Sequence, residues 1–171
     1  MKITAIKALK DNFIWALIKK NDCIIVDPGE ALPTINFLQK NNLNLKAALI
    51  THHHNDHTQG LYDLLQIWPK TIVYGHSGSP CKLINKKIDQ EKAFYEATIQ
   101  QFILPLMTPG HTLCHITYFI KTTPPIAFTG DTLFSAGCGK IFEGTAPMLY
   151  ASLEKINNLP KNTKIYCGHE Y

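Results

Sequence analysis

Thr51-His52-His53-His54-Asn55-Asp56-His57 is the stretch that decides how this 171-residue chain is read. It sets imidazoles and a carboxylate in the spacing H-x-H-x-D-H, a ligand set that suits zinc, iron or manganese. On an extended segment alternate side chains point the same way, so His52 and His54 can converge on one ion. The chain then turns and leaves Asp56 and His57 to face a second point. Residues 45–50 (LKAALI) form an apolar run of strand length that leads into the loop. Residues 60–68 (GLYDLLQIW) carry apolar side chains at helical spacing, with Thr58 expected as the cap. A strand–loop–helix junction is where α/β proteins place their chemistry, beyond the carboxyl ends of strands. The competing reading, a histidine-rich surface turn that takes up metal adventitiously, does not account for this setting.

Working outward, residues 3–8, 13–18 and 23–26 are apolar enough for strands, and Asp27-Pro28-Gly29 makes a turn. Residues 31–39 read as a helix that ends at Asn41-Asn42, and residues 71–74 as a further strand. The polar stretch 77–90 reads as loops. The second half repeats the pattern, with strands at 101–107, 116–120, 126–129 and 163–166 and a helix at 147–157. Two strand-rich halves, each followed by a helix, predict an α/β (α+β) fold: a four-layer αββα sandwich of two packed sheets with helices outside. At this length a single domain over 1–171 is expected, with room for a sizeable core.

Three later residues sit directly after predicted strands, each preceded by glycine: His111 in Pro109-Gly110-His111, Asp131 in Thr129-Gly130-Asp131-Thr132, and His169 in Cys167-Gly168-His169-Glu170. Glycine there lets the backbone turn sharply or come close to a bound group. Of the other polar groups, His53 is a spacer expected to face solvent, His76 is not expected to ligate, and Asp27 reads as a turn former. Cys138 and Cys167 lie beside the site without fitting a ligand position, and Asp63 and Glu154 read as solvated helix surface.

In this order THHHNDH, PGH, FTGDTLF and CGHEY resemble the metallo-β-lactamase superfamily over essentially the whole chain. The segment from Gly130 to Lys140 with Phe142-Glu143-Gly144-Thr145 resembles, more narrowly, the hydroxyacylglutathione hydrolase (glyoxalase II) family. The resemblance implies two divalent metal ions, zinc first, with iron or manganese also accepted. His52, His54 and His111 would hold one, Asp56, His57 and His169 the other, and Asp131 would bridge them. It makes Asp56 and Asp131 the catalytic carboxylates and His115 a supporting group. Lys140, Phe142 and Tyr171 would contact the substrate, Phe142 standing where the pattern often has tyrosine. The implied reaction is attack of hydroxide on the thioester of S-D-lactoylglutathione, a small-molecule partner, giving glutathione and D-lactate. A thiol of pKa ~8.5 leaves without much help from an acid. Family members continue beyond the HEY segment into a helical domain that helps bind glutathione; this chain stops at Tyr171, so weaker affinity for the tripeptide is expected.

Three rival readings stay open at this level. Persulfide dioxygenases share the loop but resemble it with one iron, a nuclease of the superfamily would want a basic arm, and a metal-binding fragment could be idle. The net charge of +4 is spread along the chain without a long basic run, which speaks against nucleic acid as partner. No apolar stretch approaches the ~20 residues of a membrane span. Hydrophobic residues at 45% and charged residues at 18% describe an ordinary globular chain. The five cysteines are odd in number and form no C-x-x-C pair, which fits reduced thiols in a cytoplasmic setting; a monomer is expected.

Overall fold

Alternation of buried and exposed residues shapes the first hairpin, in which Ile6 of β1 (Lys2–Ala8) faces Ile14 of β2 (Asn12–Lys19) across an antiparallel ladder. The computed structural model describes all of residues 1–171. From β3 (Asp22–Val26) the sheet continues in parallel through β4 (Asn44–Leu49), β5 (Ile72–His76) and β6 (Lys86–Ile88), in spatial order β1 to β6. Parallel strands buried on both faces read as apolar runs rather than alternation, and this is why β3 (DCIIV) and the end of β4 (AAL) are almost wholly buried.

The second sheet comprises β7 (Phe94–Glu96), β8 (Gln101–Met107), β9 (Ile116–Ile120), β10 (Ile126–Gly130) and β11 (Lys164–Cys167), in spatial order β11-β10-β9-β8-β7. Only β10 and β11 run parallel. Leu17, Ile24, Val26 and Leu49 of the first sheet meet Ile103, Ile116, Tyr118 and Phe128 of the second in one buried cluster. On the outer face of the first sheet, Leu38 of α1 (Ala31–Lys40) and Leu64 of α3 (Leu61–Ile67) pack on Ile14, Cys23 and Ile25. Beside the second sheet, α4 (Ala146–Asn157) starts under a cap in which Thr145 accepts from the Met148 amide. The result is the expected sandwich of two mixed sheets flanked by helices. No helix is long and apolar enough to cross a membrane.

Three local expectations change. Thr58 does not cap the following helix: it closes a one-turn helix, α2 (Asn55–Thr58), and its hydroxyl donates back to the His54 carbonyl at 3.0 Å. That turn sets Asp56 and His57 side by side, and α3 starts at Leu61 without a side-chain cap. Within 77–90, read as loops, lies β6, which extends the parallel ladder beside β5. Three residues with two exposed lysines are too short to leave a period, and the equally short β7 was not foreseen for the same reason.

Phe128 is fully buried between the sheets and stacks on Tyr166 with ring centroids 5.1 Å apart. Phe128→Ala is expected to cost about 3–5 kcal/mol, read from the midpoint of urea unfolding. A loss below about 1 kcal/mol, the scale of a surface change, would contradict this account of the core.

Candidate metal centre

Five strands end at one rim of the sandwich, and each end delivers polar side chains to the same place. Asp27 follows β3, the histidine loop follows β4, His111 follows the turn after β8, Asp131 follows β10 and His169 follows β11. Hydrogen bonds across the sheets lock the rim: the Ile116 amide donates to Thr51 O, Tyr118 Oη to Ile50 O and Trp15 Nε1 to Cys167 O, all at 2.8 Å. Gly130 has φ +48°, and a Cβ there would lie 2.4 Å from Thr51 Oγ1. A Cβ on Gly168 would lie 2.6 Å from Asp131 Oδ1. These two glycines are needed because a side chain would fill the space into which the polar groups converge.

The groups gather as two clusters. His54 Nδ1 lies 3.1 Å from both His52 Nε2 and His111 Nε2. In the second cluster His57 Nε2 and His169 Nε2 are 3.2 Å apart, and Asp56 Oδ2 is 3.4 Å and 3.2 Å from them. Asp131 stands between: Oδ1 is 3.3 Å from His57 Nε2, and Oδ2 is 3.5 Å from His111 Nε2 and 3.4 Å from His169 Nε2. Donors held ~2.0–2.1 Å from a tetrahedral ion sit roughly 3.3 Å from one another, so these spacings fit a divalent cation in each cluster. Asp131 Oδ1 is buried and accepts no well-formed hydrogen bond, its polar neighbour being His57 Nε2 at 3.3 Å. Such a buried carboxylate oxygen is costly unless a cation meets it, so the residues present suit divalent metal ions here. His52, His54 and His111, and Asp56, His57 and His169, are thus two sets able to hold metal ions.

Four of the five rings, all but His54, are held from behind, which fixes the nitrogen that faces the site. His111 Nδ1 donates to Lys140 O at 2.6 Å, His57 Nδ1 to Asp27 Oδ2 at 3.1 Å and His169 Nδ1 to Asp11 Oδ1 at 2.9 Å. His52 Nδ1 meets Thr51 Oγ1 at 3.1 Å. Asn12 Nδ2 donates to Asp56 Oδ2 at 3.1 Å. His115 is wholly buried; its Nε2 accepts from the Asp131 amide at 3.2 Å, and its Nδ1 faces the hydroxyls of Thr108 and Thr132. His76 takes no part, its Nδ1 accepting from the Gly78 amide.

Two readings are corrected. Asp27 does turn the chain, with φ +51°, but it is also buried and accepts from the Thr51 amide, Thr51 Oγ1 and His57 Nδ1. His53 does not face open solvent: its side chain is only 18% exposed and its Nε2 lies 3.2 Å from Glu143 Oε1. Asp11, Asn12 and Thr51 were missed because the contacts are non-local. Asp11 and His169 are 158 residues apart, and no spacing motif records such a pair.

The two clusters differ electrically. Burial holds the pKa of His52, of His54 and of His111 below that of free imidazole, so these rings are neutral at pH 7. At His57 burial again favours the neutral ring, but the carboxylates of Asp131, Asp27 and Asp56 outweigh it and raise the pKa well above the usual value. At His169 burial is likewise outweighed by Asp131, Asp56 and Asp11, and the pKa is pushed up to about 10. Hydrogen bonds from His169 and His57 hold the Asp56 carboxyl far below the usual carboxylate range. Asp131 is lowered too, because its contacts with the same rings outweigh its burial. Burial brings His115 down to about 3, consistent with its accepting nitrogen.

Above the clusters opens a cleft of about 400 Å³, with His54, Asp56, His111, Asp131 and His169 on its floor. Its rim carries Phe134, Cys138, Lys140, Phe142 and Tyr171. The Phe142 ring meets His54 and His111 edge-on, at 5.2 Å and 5.3 Å, while Lys140 Nζ lies 5.3 Å from the Phe142 centroid. Tyr171 stacks on His169 at 5.2 Å and 6° and is 81% exposed. Cys138 is exposed at the mouth, whereas Cys167 Sγ points back to His169 O at 3.2 Å. Of the residues the sequence singled out, His54, Asp56, His111, Asp131, Lys140, Phe142, His169 and Tyr171 line this cleft, whereas His52 and His57 are buried behind it in the two clusters.

The profile of the metallo-beta-lactamase superfamily matches residues 11–169, from Asp11 behind His169 to His169 itself. The chain belongs to this superfamily. Among curated proteins, hydroxyacylglutathione hydrolase of Erwinia tasmaniensis is 44% identical over 100% of this chain and 66% of its own length. That of Pseudoalteromonas translucida is 43% identical over 100% of this chain and 65% of its own. The chain therefore spans just under two thirds of the length of these relatives. Among solved structures, the BLEG-1 B3 metallo-beta-lactamase superposes with TM-score 0.89 at 23% identity, covering 99% of this chain and 92% of that one. That likeness shows the fold.

Two outcomes follow for this superfamily member. Below about pH 10 the metal-free His169 carries a proton, so a cation entering the second cluster displaces it. Affinity there should rise roughly tenfold per pH unit for each proton displaced, while the already neutral three-histidine cluster stays flat near pH 7. Calorimetry in buffers of different ionisation enthalpy counts the protons, and equal release from both metal equivalents would contradict the assignment. Asp131→Ala should weaken both equivalents by about 10-fold or more and His169→Ala mainly one. Retention of two tight metals by Asp131→Ala would sink the bridging role.

Proposed function

We propose that this chain is a binuclear-metal thioester hydrolase acting on S-D-lactoylglutathione and related 2-hydroxyacylglutathiones, releasing glutathione and D-lactate. The observation that carries the reading is Asp131: a buried carboxylate, one oxygen of which accepts no well-formed hydrogen bond, reaching members of both clusters on the floor of an open cleft. The likeness to hydroxyacylglutathione hydrolases at 43–44% identity over the whole chain supports the substrate class. The second cluster of Asp56, His57 and His169 favours hydrolysis over the dioxygenase alternative with its single iron. Residues 1–171 are read as one catalytic domain, working as a cytoplasmic monomer that clears products of methylglyoxal.

His52, His54 and His111 would hold one divalent cation, and Asp56, His57 and His169 the other, with Asp131 shared. Zinc is the first candidate, and iron or manganese suit the same ligands. When bound, such ions supply Lewis acidity, bringing the ionisation of water down toward pH 7 and polarising a carbonyl. The protein does the rest. Lys140 offers an ammonium to a glutathione carboxylate, while Phe142 and Tyr171 wall the cleft on either side of the histidines. Phe142 offers an apolar ring beside His54 and His111 without the hydrogen bond a tyrosine would add. Asp131 and Asp56, ionised throughout the neutral range, hold the local positive charge in place as negative charge develops on the substrate. The leaving thiolate, of ordinary pKa ~8.5, needs no acid from the chain.

The deciding experiment is hydrolysis of S-D-lactoylglutathione by the zinc-loaded chain, followed by loss of the thioester absorbance. Turnover is expected, with Lys140→Ala raising KM about tenfold and changing kcat little, the pattern of lost ground-state binding. A folded protein with both metals and no turnover even at the highest attainable substrate concentration would exclude this substrate for residues 1–171.

A further inference from the structure

The segment 139–144 has two tasks at once. Its side chains Lys140 and Phe142 wall the cleft, and its Lys140 carbonyl accepts from His111 Nδ1 and so orients that ring. Main-chain bonds lay it across the turn that carries His111: the Gly139 amide donates to Asp131 O at 3.0 Å, Phe142 N to His111 O at 3.1 Å and Gly144 N to Gly110 O at 3.2 Å. The crossing is tight, since a Cβ on Gly144 would lie 2.7 Å from Gly110 Cα. One side chain of the segment reaches two other pieces of the site. Glu143 Oε2 accepts from the Leu113 amide at 2.8 Å, just beyond His111, and Glu143 Oε1 meets His53 Nε2 at 3.2 Å. His53 lies between His52 and His54, and the other nitrogen of its ring is buried without a partner. The pair with Glu143 is therefore the polar anchor the structure gives that ring.

We propose that Glu143 is a positioning residue: through His53 and the Leu113 amide it ties the cleft wall to the three-histidine cluster, so that substrate wall and metal ligands are aligned together. A displacement of 139–144 would carry Phe142 off the rings of His54 and His111 and pull the Lys140 carbonyl from His111. Glu143 opposes it at both ends, on the loop that bears His54 and on the turn that bears His111. This goes beyond the roles of Lys140 and Phe142 but rests on reading them as the substrate wall. The simpler alternative is that Glu143 only satisfies the exposed amide of Leu113; it predicts a small loss of stability and nothing at the metals.

The test compares Glu143→Ala, Glu143→Gln, His53→Ala and the double alanine variant in the full chain. The readouts are zinc affinity by chelator competition, KM and kcat for the glutathione thioester at saturating zinc, and melting temperature. Glu143→Ala should weaken one of the two zinc equivalents about tenfold, the scale of losing support behind a ligand, and leave the other within about twofold. KM should rise about fivefold or more while kcat stays within about threefold. Glutamine keeps an acceptor for Leu113 and a hydrogen-bonding group for His53, so Glu143→Gln should restore most of both quantities. His53→Ala should move the same readouts in the same direction, and the double variant should be no worse than Glu143→Ala, because one interaction is removed either way. Unchanged zinc affinity and KM with only a lower melting point would overturn the proposal, as would additive effects of the two alanines. Should Glu143→Ala fail to fold, Glu143→Gln and His53→Ala decide by the same criteria. If the parent chain does not hydrolyse the thioester, the substrate reading fails while the zinc measurements still decide the role of Glu143.

Discussion

Imidazole nitrogens and carboxylate oxygens held 3.1–3.5 Å apart on the floor of one cleft repel or compete for protons unless something fixes them, and that crowding is the constraint around which the rim is organised. Left free, such side chains would turn to water. Most stay because a group from elsewhere in the chain braces them from behind: Asp27 behind His57, the Lys140 carbonyl behind His111, Asp11 behind His169 and Asn12 on Asp56. Asp27 is the central brace, buried itself and satisfied by an amide, a hydroxyl and an imidazole from the loop it supports. A buried carboxylate is tolerable only when so satisfied. The same requirement explains His115, which gives up its charge to burial and supports the Asp131 amide as a neutral acceptor.

The sandwich makes this arrangement possible because the inter-sheet core sets the distance between the two rims. Tyr118, buried in that core, donates to Ile50 O just before the histidine loop. Trp15 does the same to Cys167 O just before His169. Packing thus reaches the chemistry through two hydrogen bonds from core aromatics to the strand ends that bear ligands. The asymmetry of charge between the clusters has the same origin. His57 and His169 are ringed by Asp11, Asp27, Asp56 and Asp131, whereas the three-histidine cluster is set mainly among other imidazoles.

Much of this was legible locally. The H-x-H-x-D-H spacing and the three glycine-preceded residues after strands name the seven converging groups, because alternation and strand ends are short-range features. Strands with clear apolar runs, such as 116–120, were placed to the residue. The three-residue β6 and β7 were not, since they owe their pairing to neighbours rather than to any period of their own. His53 was misjudged for a related reason: its partner Glu143 lies 90 positions away in the sequence, and a spacer position carries no sign of what it will meet.

By itself, then, the sequence determined the superfamily, the two-sheet architecture and the residues that form the centre, because motif spacing and hydrophobic pattern are properties of neighbouring residues. The tertiary structure alone decided which groups brace which: Asp27 behind His57, Asp11 behind His169, the Lys140 carbonyl behind His111, Asn12 on Asp56 and Glu143 across to His53. It also decided which imidazoles carry a proton before any cation arrives. Burial and the count of nearby carboxylates set a ring's charge, and both arise only when distant strand ends are brought to a common rim.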